Sequence, residues 1–351
     1  MTTNCYTVNF QEGFMRSKNV LFSLFLLCVT SMLPMHAKAA PLKIGMVTDV
    51  GGVNDQSFNQ SAWEGLQKAK KEMGVKTSYQ ESKQDADYPA NLETLYDSGN
   101  DLIWGIGFKM ADAILLAAKQ NPKQKYAIID YSYGSKTPPN VVGVMFKAEE
   151  GAFLAGYISA KMSKTGTLGF IGGMSVPIIH SFQYGFEAGA KFANKKINII
   201  EQHAESFTDA AKGKAIANQM MGKGADVLFH AAGAVGDGVI EAAKEKNKMA
   251  VGVDRDQNYL APKNVITSSM KRVDNAVFNV VKDLSKGTFK GGTTLDYGLK
   301  DGAVDIAPTT SKMVPSVLLA DITKIKQDIV AGKIKVPATQ ASYAAFIKTL
   351  K

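Results

Sequence analysis

Cysteine is all but missing from this chain. Its two copies, Cys5 and Cys28, both fall in the first 40 residues, so a mature protein cut behind them has none. Disulfide scaffolding, a cysteine nucleophile and thiolate metal ligation drop out together. Histidine is almost as scarce: beyond His36 there are only His180, His203 and His230, with no H-E-x-x-H helix and no close metal pair. No G-x-S-x-G elbow presents a serine, and setting His230 against Ser206 or Asp254 requires an arbitrary geometry, so neither a catalytic residue nor a metal is expected. Phosphate cradles are lacking too. GAVGDG at Gly233–Gly238 has no G-x-x-x-x-G-K-[ST] run, and the glycines after Lys43 lack the G-x-G-x-x-G spacing, which leaves a neutral ligand and no cofactor.

Long apolar runs are also absent. The longest, Leu21–Val29, follows Arg16 and Lys18 and precedes Ala37-Lys38-Ala39. A membrane span needs about 20 apolar residues, whereas this order of charge, short apolar centre and small-x-small site is that of an export signal over residues 1–39. Leu26-Leu27 before Cys28 are larger than a lipid-attachment site wants, so a soluble periplasmic protein is expected, with lipidation of Cys28 and a start at Met15 left open. Charge of one sign is in modest excess, +9 overall, but it is spread along helices such as Lys68–Lys71. Such spreading argues against nucleic acid as a partner.

What is present is alternation of strand and helix. Strands are predicted at 43–48, 75–79, 102–105, 126–130, 141–145, 168–171, 197–201, 227–230, 250–253 and 265–268, with a β-like piece at 293–299. Helices are predicted at 57–73, 88–97, 109–119, 148–162, 178–193, 209–221, 235–246, 273–284, 319–331 and 343–350. This order implies two mostly parallel, doubly wound α/β sheets. A tail with only one strand and two helices cannot build its own core. It should return to both lobes, giving an N-terminal lobe of 42–147 plus about 270–300 and a C-terminal lobe of 148–269 plus about 301–351, joined by a hinge.

Polar clusters stand where the strands end, the usual ligand edge of open α/β sheets. They include Asp49 with Asn54, Asp55 and Asn59 after Gly51-Gly52, then Asp130, Gly233, Asp254 and Lys271. Carboxylates accept from hydroxyls, and Phe58 and Phe207 offer aromatic faces, a composition suited to a flat, neutral, polyhydroxylated ligand. Asp49 also reads as a turn cap, Phe58 as a core residue, Thr208 or Asp209 as a helix cap, and Asp254-Arg255-Asp256 as a surface ion-pair cluster.

Several ordered segments carry a family resemblance: VTDVGGVNDQSFNQSAWEG, YAIIDY at Tyr126–Tyr131, EEGAFLAGYISAKMSKTGTLGFIGG at Glu149–Gly173, GADVLFHAAGAVGDGVIEAAKE, VGVDRDQ and SSMKR. Across roughly Lys43–Lys300 the chain resembles the basic-membrane-protein family, receptors similar to the purine nucleoside receptor of spirochaetes. The resemblance implies the type I periplasmic-binding-protein fold, two α/β lobes with a hinge and a ligand cleft. It implies base stacking by Phe58 and Phe207, base contacts from Asp49, Asn54, Asn59 and Asp130, ribose contacts from Asp254 and Lys271, and close backbone approach at Gly233. A purine nucleoside (adenosine, guanosine or inosine) and an inner-membrane ABC permease are the implied partners of a monomeric, non-enzymatic receptor. A receptor for a sugar or a thiamine-like solute, and a surface adhesion or sensory protein, remain as alternatives. With no helix-turn-helix ahead of the first lobe, a repressor would lack its DNA reader.

Overall fold

The computed structural model describes residues 40–350; the export signal expected over 1–39 lies outside the described residues. The first lobe runs β1 (Lys43–Val47), α1 (Phe58–Met73), β2 (Lys76–Gln80), α2 (Tyr88–Asp97), β3 (Leu102–Ile106), α3 (Ala111–Gln120), β4 (Lys125–Ile129) and β5 (Val141–Phe146). The second runs α4 (Ala148–Met162), β6 (Thr167–Gly172), α5 (Pro177–Ala193), β7 (Asn198–His203), α6 (Ala210–Gly222), β8 (Val227–Ala231), α7 (Val235–Glu245), β9 (Met249–Asp254) and β10 (Val265–Lys271). After α8 (Val273–Ser285) come β11 (Thr293–Tyr297), β12 (Val304–Ile306), α9 (Thr310–Met313), α10 (Ser316–Val330) and α11 (Gln340–Thr349).

The two sheets repeat one plan. Their orders are β11-β5-β4-β3-β1-β2 and β12-β10-β9-β8-β6-β7, so β4 and β9 hold equivalent places, as do β1 and β6. All pairings are parallel except β12 on β10. The chain passes between sheets after Phe146, after Lys271 and after Tyr297. Two departures from the sequence pattern matter. The tail holds a second strand, β12, whose three residues are too few to show a period; β11 completes one sheet and β12 the other. The strand expected at 265–268 continues through Lys271, which carries that lysine to the edge of the cleft.

Period-2 alternation builds each lobe's layers. Leu102, Trp104 and Ile106 face one buried cluster with residues of α1 and α8, while Ile103 faces the opposite one with Leu92, Leu95 and Ile114. In the second lobe Phe170, Phe229 and Val251 meet α4 and α5, and Ile171 and Leu228 meet Ile216, Val235 and Val239. Helices α4 and α5 touch backbone to backbone: a Cβ on Gly189 would run into the Phe153 carbonyl oxygen, and one on Gly156 into that of Phe186. Gly189→Ala should therefore overpack the contact and lower stability by ~2 kcal/mol in a urea unfolding curve; an unchanged midpoint would show that the helices separate freely.

Candidate functional site

The first-lobe wall is shaped by one buried carboxylate. Asp55 Oδ1 accepts from the backbone N–H of Ser57 (3.0 Å) and Gln60 (3.0 Å), and Oδ2 from that of Asn59 (2.8 Å), so it caps the first turn of α1. Its Oδ2 also accepts from Asn59 Nδ2 at 3.0 Å, while Asp49 Oδ1 takes the same amide at 2.7 Å. Both contacts require the Nδ2 side of Asn59 to face carboxylates, which leaves its buried Oδ1 without a protein donor. Burial pushes the Asp49 carboxyl up against the pull of Asn59 and Gly51, and it pushes Asp55 to about 6.

Equivalent strands supply the next pair. Asp130 follows β4 and Asp254 ends β9, and both take the left-handed backbone, φ 63° and 61°. Aspartate tolerates this region at a cost, and two such outliers at matching strand ends mark a functional edge. Asp130 Oδ2 holds Lys271 Nζ at 2.5 Å across the lobes, with the side chains only 6% and 3% exposed, and Asp130 Oδ1 has no donor. The Lys271 ammonium also lies 4.6 Å from the centroid of Phe58 and 5.4 Å from that of Phe146. Asp254 Oδ2 accepts from Ser57 Oγ at 2.5 Å, again between lobes; burial raises its pKa against the opposing charge of Lys271 and the Ser57 bond.

These side chains enclose a cleft with about 640 Å³ of space not filled by atoms, part of it open to solvent. Asp49, Phe58, Asn59, Asp130, Phe207, Gly233, Asp254 and Lys271 all line it. Asn54 does not. It stands exposed on the turn, and the capping bonds turn Asp55 inward in its place, so the expected contact from Asn54 is corrected. Phe207 is seated on Gly173, where any Cβ would meet its ring. Its loop is held independently: Ser206 Oγ accepts from the N–H groups of Thr208 and Asp209, and Asp209 caps α6 through Lys212 N–H.

Sequence reasoning missed Ile178, Ile179 and Phe182, which also line the cleft. They read as core because they are apolar and helical. The usable signal was the repeat: α5 follows β6 as α1 follows β1, so its first turns occupy the place of Phe58.

Behind the cleft, His230 is buried with Nε2 3.0 Å from Gln257 Oε1. Burial holds it neutral, with its pKa lowered to about 4 despite the Gln257 bond. The unfolded chain takes up that proton near 6.5, so this stabilisation is complete above about pH 6.5 and is lost as pH falls through about 4. Urea titrations should show wild type losing ~3 kcal/mol relative to His230→Gln over that interval. Parallel curves for the two proteins would contradict a buried neutral imidazole. Among the described residues no group of three or more His, Cys, Asp or Glu is arranged to hold a metal.

A family model described as ABC transporter substrate-binding protein PnrA-like (Bmp) matches residues 42–340. The chain belongs to the Bmp family. It is 43% identical to basic membrane protein A of Borreliella afzelii over 310 residues, 87% of this chain and 94% of that protein. Basic membrane protein B of Borreliella burgdorferi is 40% identical, over 96% of this chain and 99% of its own length. A solved solute-binding protein of an ABC transporter system from Aeropyrum pernix K1 superposes with a TM-score of 0.79 at 28% identity, covering 88% of this chain and 97% of that one. The fold is the type I periplasmic-binding-protein fold. As a Bmp-family member the chain is an ABC-type solute-binding receptor, a transport protein without catalysis that works with a permease. Among the described residues no helix is long and apolar enough to cross a membrane.

Proposed function

We propose that this receptor binds a purine nucleoside between its lobes, outside the inner membrane, and delivers it to its permease as a monomer. The observation that carries this reading is that Phe58 and Phe207 line the same cleft as Asp130, Asp254 and Lys271. Phe58 and Phe207 stack on the base, Asp49, Asn59 and Asp130 address its polar edge, Gly233 permits close approach, and Asp254 and Lys271 take the ribose hydroxyls. The unpartnered oxygens of Asn59 and Asp130 call for ligand groups that donate, as N–H and hydroxyl groups do.

Charge supports a nucleoside over a nucleotide. Asp49, Asp55, Asp130 and Asp254 line the cleft against only Lys109 and Lys271, and Lys271 is already paired, so a phosphate would enter a site of its own sign. Burying ~200 Å² of ring surface at ~25 cal/mol per Å² gives about 5 kcal/mol before losses. Native mass spectrometry of the mature chain as purified, with the released solute identified, tests the reading. A purine nucleoside is expected, and a sugar or a thiamine-like compound in its place would refute it.

A further inference from the structure

The loop after β9 joins the lobes through side chains that do not line the cleft. Gln257 is buried, and its Oε1 accepts from Val253 N–H at 2.9 Å while its Nε2 donates to the backbone carbonyl oxygen of Gln56, on the opposite lobe, at 3.2 Å. Val253 N–H only donates and the Gln56 carbonyl only accepts, so both ends of the amide are fixed without ambiguity. His230 Nε2 therefore carries the proton and donates to Oε1. The Gln257 N–H is itself anchored on Ser268 Oγ at 3.1 Å.

Gln56 is the matching part of the first lobe. It stands at φ 55°, in the left-handed region, immediately before Ser57, which binds Asp254. Its side-chain Oε1 accepts from Tyr259 Oη at 2.5 Å, and Arg255 grips Glu64 of α1 side-on, Nη2 to Oε1 at 2.6 Å and Nε to Oε2 at 3.2 Å. Asp256 ties the same loop to Thr309 at 2.7 Å. Four consecutive residues, Asp254 to Gln257, thus face the other lobe or hold the loop that does.

We propose that Gln257 is a positioning residue at the centre of an interlobe latch, which with Arg255 stabilises the lobe-to-lobe arrangement and fixes the strand end that presents Asp254. The latch uses no solute atom, so it favours closure whatever the solute. Losing part of it lowers the fraction in the closed, solute-retaining state and speeds release. The bonds lie outside the cleft, and capture of solute by the open lobes is untouched.

Two variants test this. Gln257→Met keeps side-chain length and removes all three amide contacts, to Val253, His230 and Gln56, while Glu64→Ala, at an exposed position, frees Arg255 without disturbing the interior. Small-angle X-ray scattering on mature protein unfolded, stripped of solute and refolded, with none added, should give a larger radius of gyration for each variant than for wild type. In stopped-flow displacement of guanosine, each should release about three- to tenfold faster with the association rate within about twofold of wild type. Should Gln257→Met fail to fold, Glu64→Ala decides alone. Radii equal to wild type would overturn the latch. Guanosine failing to bind wild type would end the nucleoside reading, and the scattering result would still decide the latch.

Discussion

Phe207→Ala should weaken the affinity for guanosine about 10- to 100-fold while leaving the thermal midpoint within about 2 °C of wild type. The ring lines the cleft on a loop whose shape is set by Ser206 Oγ and the Asp209 cap, neither of which involves the phenyl group. Stacking a base on an aromatic side chain is worth ~1–3 kcal/mol by alanine substitution, which sets the expected loss. Titration calorimetry and a melting curve on the same preparation separate the possibilities. A large drop in midpoint with affinity retained would move this ring into the second lobe's core.

Lys271→Met should cost about 100-fold or more in affinity. The lysine and Asp130 form a buried pair between lobes, and removing one member of such a pair leaves a charge whose desolvation costs ~3–5 kcal/mol. Opening the lobes lets water reach Asp130, so the penalty falls on closure and hence on binding rather than on unfolding. In the variant Asp130 has neither a cation nor a donor for its Oδ1. Asp130→Asn combined with Lys271→Met removes the stranded charge and should recover part of the lost affinity, the remainder being the ligand contacts of the two side chains. Calorimetry on the single and double variants checks both. A Lys271→Met protein that binds like wild type at pH 8 would show the pair to be solvated in the bound state.

The fold was legible because it is periodic. Uninterrupted β/α alternation dictates parallel sheets, and strand ends carry polar clusters for local reasons visible in ten residues. Asp254 after AVGV and Phe207 inside ESFTD stand out against their immediate surroundings, and both line the cleft. Three kinds of feature did not show. A three-residue antiparallel strand such as β12 has no measurable period. Ile178, Ile179 and Phe182 share their chemistry with core residues, and only their place in the structural repeat distinguishes them. The interlobe bonds are non-local, since Gln56 and Gln257 meet across 201 positions and neither looks unusual in its own segment. Asn54 and Asp55 show the limit of motif reading at one-residue precision, where helix capping selects which neighbour turns inward.

The most direct measurement is titration calorimetry of the mature chain, stripped of solute by refolding, against guanosine, adenosine, their free bases and guanosine monophosphate. Both nucleosides should bind tightly, the bases far more weakly because Asp254 and Lys271 lose their hydroxyl partners, and the monophosphate not measurably. Equal affinity for guanine and guanosine, or no heat with any nucleoside alongside clear binding of a simple sugar, would contradict it.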